Sequence, residues 1–138
     1  MKRYEFTDHT ADIGLRIFGN DLPSLFQNAG YALFDVIADI SKVMPVEKRT
    51  YHLQRDTLEE LLVEWLSALL YTFDTEQILF RNFSVITLEH TSLVAEAEGG
   101  PMNTNIHSIE TEVKAVTYHN LTVSQDGGNW IATVVLDV

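Results

Sequence analysis

Residues 57–89 read TLEELLVEWLSALLYTFDTEQILFRNFSVITLE, and the hydrophobic period changes inside them. From Thr57 to Phe73 the apolar residues Leu58, Leu61, Leu62, Trp65, Leu69 and Phe73 recur every three or four positions, which puts them on one side of an α-helix. Thr57 with Glu60 is the capping box that opens such a helix. Beyond Ile78 the pattern shifts to the two-residue alternation of half-buried strands, rich in Val, Ile, Thr and aromatics. Strand-like segments follow at 78–89, 92–98, 111–118, 120–125 and 129–137, with DGGN at 126–129 as a hairpin turn.

Upstream, Asp21 is a good N-cap for an earlier helix, whose apolar positions Leu22, Phe26, Ala29, Leu33 and Ile37 carry it to about Asp39. SKVMPVEK, residues 41–48, reads as a linker, and RTYHLQRD from Arg49 as a strand. Two short strands, 4–6 and 13–18, flank the polar segment TDHTAD. Gly99 to Ser108, GGPMNTNIHS, is the one long polar loop. Helices early and strands late predict an α+β fold, in which two helices pack on one face of a largely antiparallel β-sheet, as a two-layer single domain over residues 1–138.

Composition narrows the function classes. Hydrophobic residues make up 46% and charged residues 21% of the 138, an ordinary globular balance. The absence of cysteine removes disulfides, thiolate zinc sites and cysteine nucleophiles together. Nine Lys and Arg against twenty Asp and Glu give a net charge of -11, a field that repels phosphates and favours a basic protein partner or a cation. Direct binding to DNA or to a membrane is not expected. The most apolar segment, LLVEWLSALLYTF, is short of a membrane span and carries Glu64, and the N-terminal residues lack a signal-peptide core, so a cytoplasmic location is expected. Phosphate-loop, dinucleotide, nucleophile-elbow and HExxH motifs are all missing.

The candidate chemistry lies at the two ends of the chain. Asp8, His9 and Asp12 crowd one polar segment, but four residues of strand span roughly 13 Å. That is too far for Asp8 and Asp12 to share an ion held by oxygens at about 2.0–2.6 Å, unless the segment is tightly turned. Asp12 therefore needs a distant partner, and Asp137 is the one charge in WIATVVLDV. Strand parity sets Trp130, Ala132, Val134 and Leu136 on one face and Ile131, Thr133, Val135 and Asp137 on the other. Val138 adds a main-chain oxygen beside Asp137. An all-oxygen set from Asp12, Asp137 and Val138 suits calcium, magnesium or manganese and not zinc. The competing reading is that Asp137 only solubilises a frayed strand end. Lys114, with His119 close behind it, is a second candidate, either pairing with carboxylates or contacting an anion; a charge that discourages strand-edge pairing is the plainer reading. The five histidines show no short ligand spacing, and each is expected to be a surface or hydrogen-bonded residue.

Taken together, YEFTDHTADIGL at 4–15, DLPSLFQNAGYALFDVIAD at 21–39, VEWL at 63–66, TEVKAVTYHNL at 111–121 and the terminal LDV resemble the archease family from end to end. The resemblance implies an α+β fold and a role as the small acidic protein cofactor of the RtcB-type tRNA-splicing ligase. Such a cofactor promotes transfer of GMP from GTP to the ligase histidine and supports multiple turnover, so that GTP and tRNA are met through the ligase. It also implies a divalent-cation site, calcium first and magnesium or manganese as alternatives, at Asp12, Asp137 and Val138, with Lys114 as a functional neighbour. Asp8, His9, His119 and Asp39 belong to the matched motifs; turn support is the role expected of Asp8 and His9, and capping that of Asp39. One departure is Ala38, where many relatives carry Thr. Two rival readings are a general chaperone or RNA-modification helper without a metal step, and, ranked last, a free-standing hydrolase using Asp12 and Asp137 with His9 as base.

Overall fold

The computed structural model describes residues 2–7 and 11–138. Among them the elements run β1 (Tyr4–Thr7), β2 (Ile13–Gly19), α1 (Leu22–Ile37), a 3-10 turn (Ile40–Lys42), β3 (Glu47–Gln54), α2 (Leu58–Glu76), β4 (Ile78–Glu89), β5 (Ser92–Pro101), β6 (Ala115–Asp126) and β7 (Asn129–Asp137). The α+β class is as expected, and every strand pairing is antiparallel. The strands are divided between two sheets rather than gathered in one, with orders β1-β2-β7-β6 and β3-β5-β4. Helix α1 packs on β2 of the first sheet and β4 of the second, while α2 packs on β6 of the first and β3 of the second. Period-two patterning tells which face of a strand is buried; it does not tell which strands share a ladder.

Both helices start where their caps direct. The Asp21 carboxylate accepts from the Ser24 N–H at 2.8 Å, which holds its pKa below the usual carboxylate range. The Thr57 hydroxyl accepts from the Glu60 N–H at 3.1 Å and donates to the Glu60 carboxylate at 3.0 Å, satisfying a free helix-terminal amide. Trp65 is fully buried and its indole N–H donates to the Phe26 carbonyl at 2.9 Å, fastening α2 to α1. Phe34 meets Phe73, Phe80 and Phe83 with ring centroids 5.5–6.2 Å apart, so the helix layer and the second sheet share one aromatic core. No helix among the described residues is long and apolar enough to cross a membrane.

Four boundaries differ from the sequence reading. Helix α1 stops at Ile37, because Ala38 is extended and Asp39 instead caps the 3-10 turn, accepting from the Ser41 N–H at 3.2 Å and its hydroxyl at 2.6 Å. Strand β3 begins at Glu47, inside the expected linker. Strand β5 continues through Gly99 and Gly100 to Pro101, so the irregular segment is 102–114 and not 99–108. A Cβ on Gly99 would lie 1.9 Å from the Leu79 carbonyl oxygen, so this glycine is there for close strand approach and not for a turn. Residues 111–114 fall in that irregular segment, and the expected strands 111–118 and 120–125 are replaced by a single β6, whose ladder slips between Thr117 and Thr122 around Asn120 at φ 53°. The turn at 126–129 is as expected, with both Gly127 and Gly128 at positive φ.

Candidate metal centre

Three strands end together at one corner of the first sheet. In β2, Leu15 and Ile17 are buried and Arg16 is exposed; in β7, Ala132, Val134 and Leu136 are buried and Asp137 is exposed. The last β2–β7 pair is Ile13 with Leu136, and one further step in that register sets Asp12, in the bend before β2, against Asp137. Opposite residues in an antiparallel pair have Cα atoms about 4.5–5.5 Å apart and share a face. Asp137 also pairs with Ala115 of β6, and the Lys114 N–H donates to the Asp137 carbonyl at 2.7 Å. The corner therefore brings Asp12, Asp137, Val138 and the main chain of Lys114 together from both ends of the chain.

Asp12 and Asp137 each stand one residue past the last β2–β7 pair, and two carboxylates so placed would repel, a cost that a cation between them would remove. Their oxygens, with the Val138 main-chain oxygen, are hard donors that could hold calcium, magnesium or manganese if they converge. Among the described residues no group of three or more His, Asp or Glu side chains is gathered closely enough to hold a metal, so the third protein ligand here would be main chain. Asp8 and His9 lie outside the described residues.

Lys114 is exposed and takes part in none of the ion pairs among the described residues. It lines a shallow cavity of about 220 Å³ with Tyr71 and Asp74. Burial, with a smaller contribution from the Glu112 charge, pushes the Asp74 carboxyl above its ordinary pKa. His119 is not at the corner in the same way, for it sits in the stretch of β6 that leaves the ladder, its N–H donating to the Thr117 hydroxyl at 3.2 Å. Asp39 lies past the end of α1, and its Ser41 hydrogen bonds hold its pKa below the usual carboxylate range, in keeping with a capping role. His107 is a satisfied buried histidine: its Nδ1 accepts from the Asn103 N–H at 3.0 Å and its Nε2 lies 3.1 Å from the Lys42 carbonyl.

The sequence reading missed a second polar region. Arg3, Tyr31, Asp35, Asp39, Ser41, Arg81 and Asn82 line a cavity of about 390 Å³. Its lining comes from the N-terminal segment, α1, the 3-10 turn and β4, which no spacing in the sequence joins.

Known proteins match the chain over nearly its whole length. Residues 4–138 match the model described as the Archease protein family (MTH1598/TM1083). The chain is 40% identical over 139 residues to a protein archease of Sulfurisphaera tokodaii, covering all of both chains. It is 41% identical over 141 residues to one from Methanosarcina acetivorans, covering 99% of this chain and 97% of that one. The solution structure of Methanobacterium thermoautotrophicum protein 1598 superposes with a TM-score of 0.87 at 38% identity over the full length of both. A Thermotoga maritima crystal structure, described as an archease and possible chaperone, gives 0.68 at 22% identity over 96% of this chain and 94% of that one, a likeness of fold.

Proposed function

The chain belongs to the archease family, and from that premise we propose that it acts as an accessory protein of an RtcB-type RNA ligase, promoting guanylylation of the ligase histidine and repeated turnover with the help of a divalent cation. The single observation that carries the reading is the convergence of Asp12, Asp137, Val138 and Lys114 at the ends of β2, β7 and β6. Asp12 and Asp137 would hold the cation through carboxylate oxygens and Val138 through a main-chain oxygen, with calcium the first choice for such a set. Once bound, the cation supplies positive charge that attracts phosphate oxygens to a surface whose net charge of -11 otherwise repels them. Lys114 reaches the same corner through its main chain, bonded to the Asp137 carbonyl, while its side chain lines the cavity beside Tyr71 and Asp74. Holding nucleotide and histidine in register can be worth several kcal/mol, about 7–11 at the upper end, of the barrier. GTP and tRNA are then bound by the ligase, and the GMP chemistry stays there.

A second reading, a chaperone without a metal step, has one observation in its favour. Met44, Val46 and Ile106 are more than half exposed around an apolar groove of about 510 Å³. The two readings separate in a guanylylation assay of the ligase with and without this protein across a calcium, magnesium and manganese titration. Stimulation that rises with the added cation and disappears in EDTA is expected. Stimulation that survives EDTA, together with protection of unrelated unfolding proteins, would favour the chaperone.

A further inference from the structure

At the opposite end of the β1–β2 pair from Asp12, two guanidinium groups line one cavity of an acidic molecule. Arg3 precedes β1, where its carbonyl accepts from the Phe18 N–H at 2.9 Å, and its guanidinium carbon lies 4.1 Å from the Tyr31 ring centroid. That stacking orients a planar fork. Arg81 is the extra residue of a β-bulge: Phe80 pairs with Gly99 and Asn82 with Glu98, leaving Arg81 without a partner in the ladder. Bulges re-aim a side chain, and one Arg81 nitrogen is tied to the Val43 carbonyl at 3.0 Å, which leaves the other donors of the fork available. None of the ion pairs among the described residues uses Arg3 or Arg81, although Asp35 and Asp39 line the same cavity. Both carboxylates are already placed, Asp35 by the Tyr4 hydroxyl at 2.6 Å and Asp39 by Ser41. An adjoining pocket of about 150 Å³ shares Arg3, Tyr31, Arg81 and Asn82, so the space continues toward Gln27 and Asn28.

We propose that this cavity binds a small sugar phosphate. Two guanidinium forks match a phosphomonoester, which carries about −1.5 to −2 charge and three acceptor oxygens. A bare anion would leave Asp35 and Asp39 facing it unfavourably; a polyol attached to the phosphate turns them into acceptors for its hydroxyl groups. Volume agrees, since about 390 Å³ with an adjoining 150 Å³ lies within the range of small-ligand sites. The site is separate from the strand-end carboxylates and does not depend on the ligase reading.

The test is calorimetric titration of the full chain with ribose 5-phosphate, ribose and inorganic phosphate, followed in parallel by amide chemical shifts. Saturable binding of ribose 5-phosphate is expected, with shifts at Arg3, Tyr31, Ser41 and Asn82. Inorganic phosphate should bind at least about tenfold more weakly, and ribose should not saturate. Arg81→Gln and Arg3→Gln should each weaken ribose 5-phosphate by about tenfold or more while leaving the amide spectrum elsewhere unchanged. Asp39→Asn should narrow the gap between ribose 5-phosphate and inorganic phosphate. Absence of saturation by about 10 mM ribose 5-phosphate, equal affinity for inorganic phosphate, or indifference to both arginine substitutions would overturn the proposal.

Discussion

The two ends of the β1–β2 pair carry opposite chemistry. At the Asp12 end, the β2–β7 register and the first β6–β7 pairs carry Asp12, Asp137 and Lys114 to one corner, and the β6 ladder slips only farther along, between Thr117 and Thr122. At the Arg3 end, guanidiniums meet because register fails, at the bulge that sets Arg81 apart from the β4–β5 ladder. The contrast is physical: regular pairing extends a periodic pattern and carries residues such as Asp137 to a calculable position, whereas a bulge changes which way one residue points.

Substitutions can break that contrast or sharpen it, beginning with the largest effect. Trp65→Ala removes a fully buried ring and its bond to the Phe26 carbonyl, and should cost about 3–5 kcal/mol in urea unfolding. Because α1 and α2 carry both sheets, it should loosen both ends of the β1–β2 pair together. Gly99→Ala would push a methyl into the Leu79 carbonyl and should cost about 1–3 kcal/mol by the same measurement. An unchanged stability would mean that the Leu79 carbonyl does not approach Gly99 so closely. Asp137→Ala should lower calcium affinity by about tenfold or more, or about 1.4 kcal/mol, in calorimetry, with ribose 5-phosphate binding left as it was. A loss at both ends would show the two sites to be coupled.

The smallest effect belongs to a cap. Asp21→Ala should cost about 1 kcal/mol near neutral pH, read from the urea midpoint. The folded Asp21 pKa is depressed by the Ser24 hydrogen bonds, so its stabilisation is present above the unfolded carboxylate value and is lost as pH falls through the folded one. The difference between the parent chain and Asp21→Ala should therefore shrink below about pH 3.9.

These same residues mark what the sequence makes legible. The helices can be read because Asp21 and Thr57 are caps with a local mechanism and the apolar period behind each is long. That Asp137 is exposed beside buried Leu136 follows from parity, and the β2–β7 register carries Asp12 toward it. Gly99-Gly100-Pro101 resembles a turn when read alone; only the Leu79 carbonyl, brought up by β4, shows why the glycines stand inside a strand. The slip at Thr117–Thr122 was hidden in the same way, because a residue in the left-handed region such as Asn120 leaves no periodic trace. Arg81 left no trace either, because Ile78, Leu79 and Phe80 before it are all apolar, and its neighbours Arg3 and Tyr31 come from elements that sequence spacing does not join.

The most direct test of the strand-end site is ligase guanylylation measured in calcium with the parent protein, with Asp12→Ala and with Asp137→Ala, each variant first checked for an unchanged unfolding midpoint. Stimulation by the parent chain and its loss in both folded variants is the predicted result. Full stimulation by both variants would contradict a functional cation site at the ends of β2 and β7.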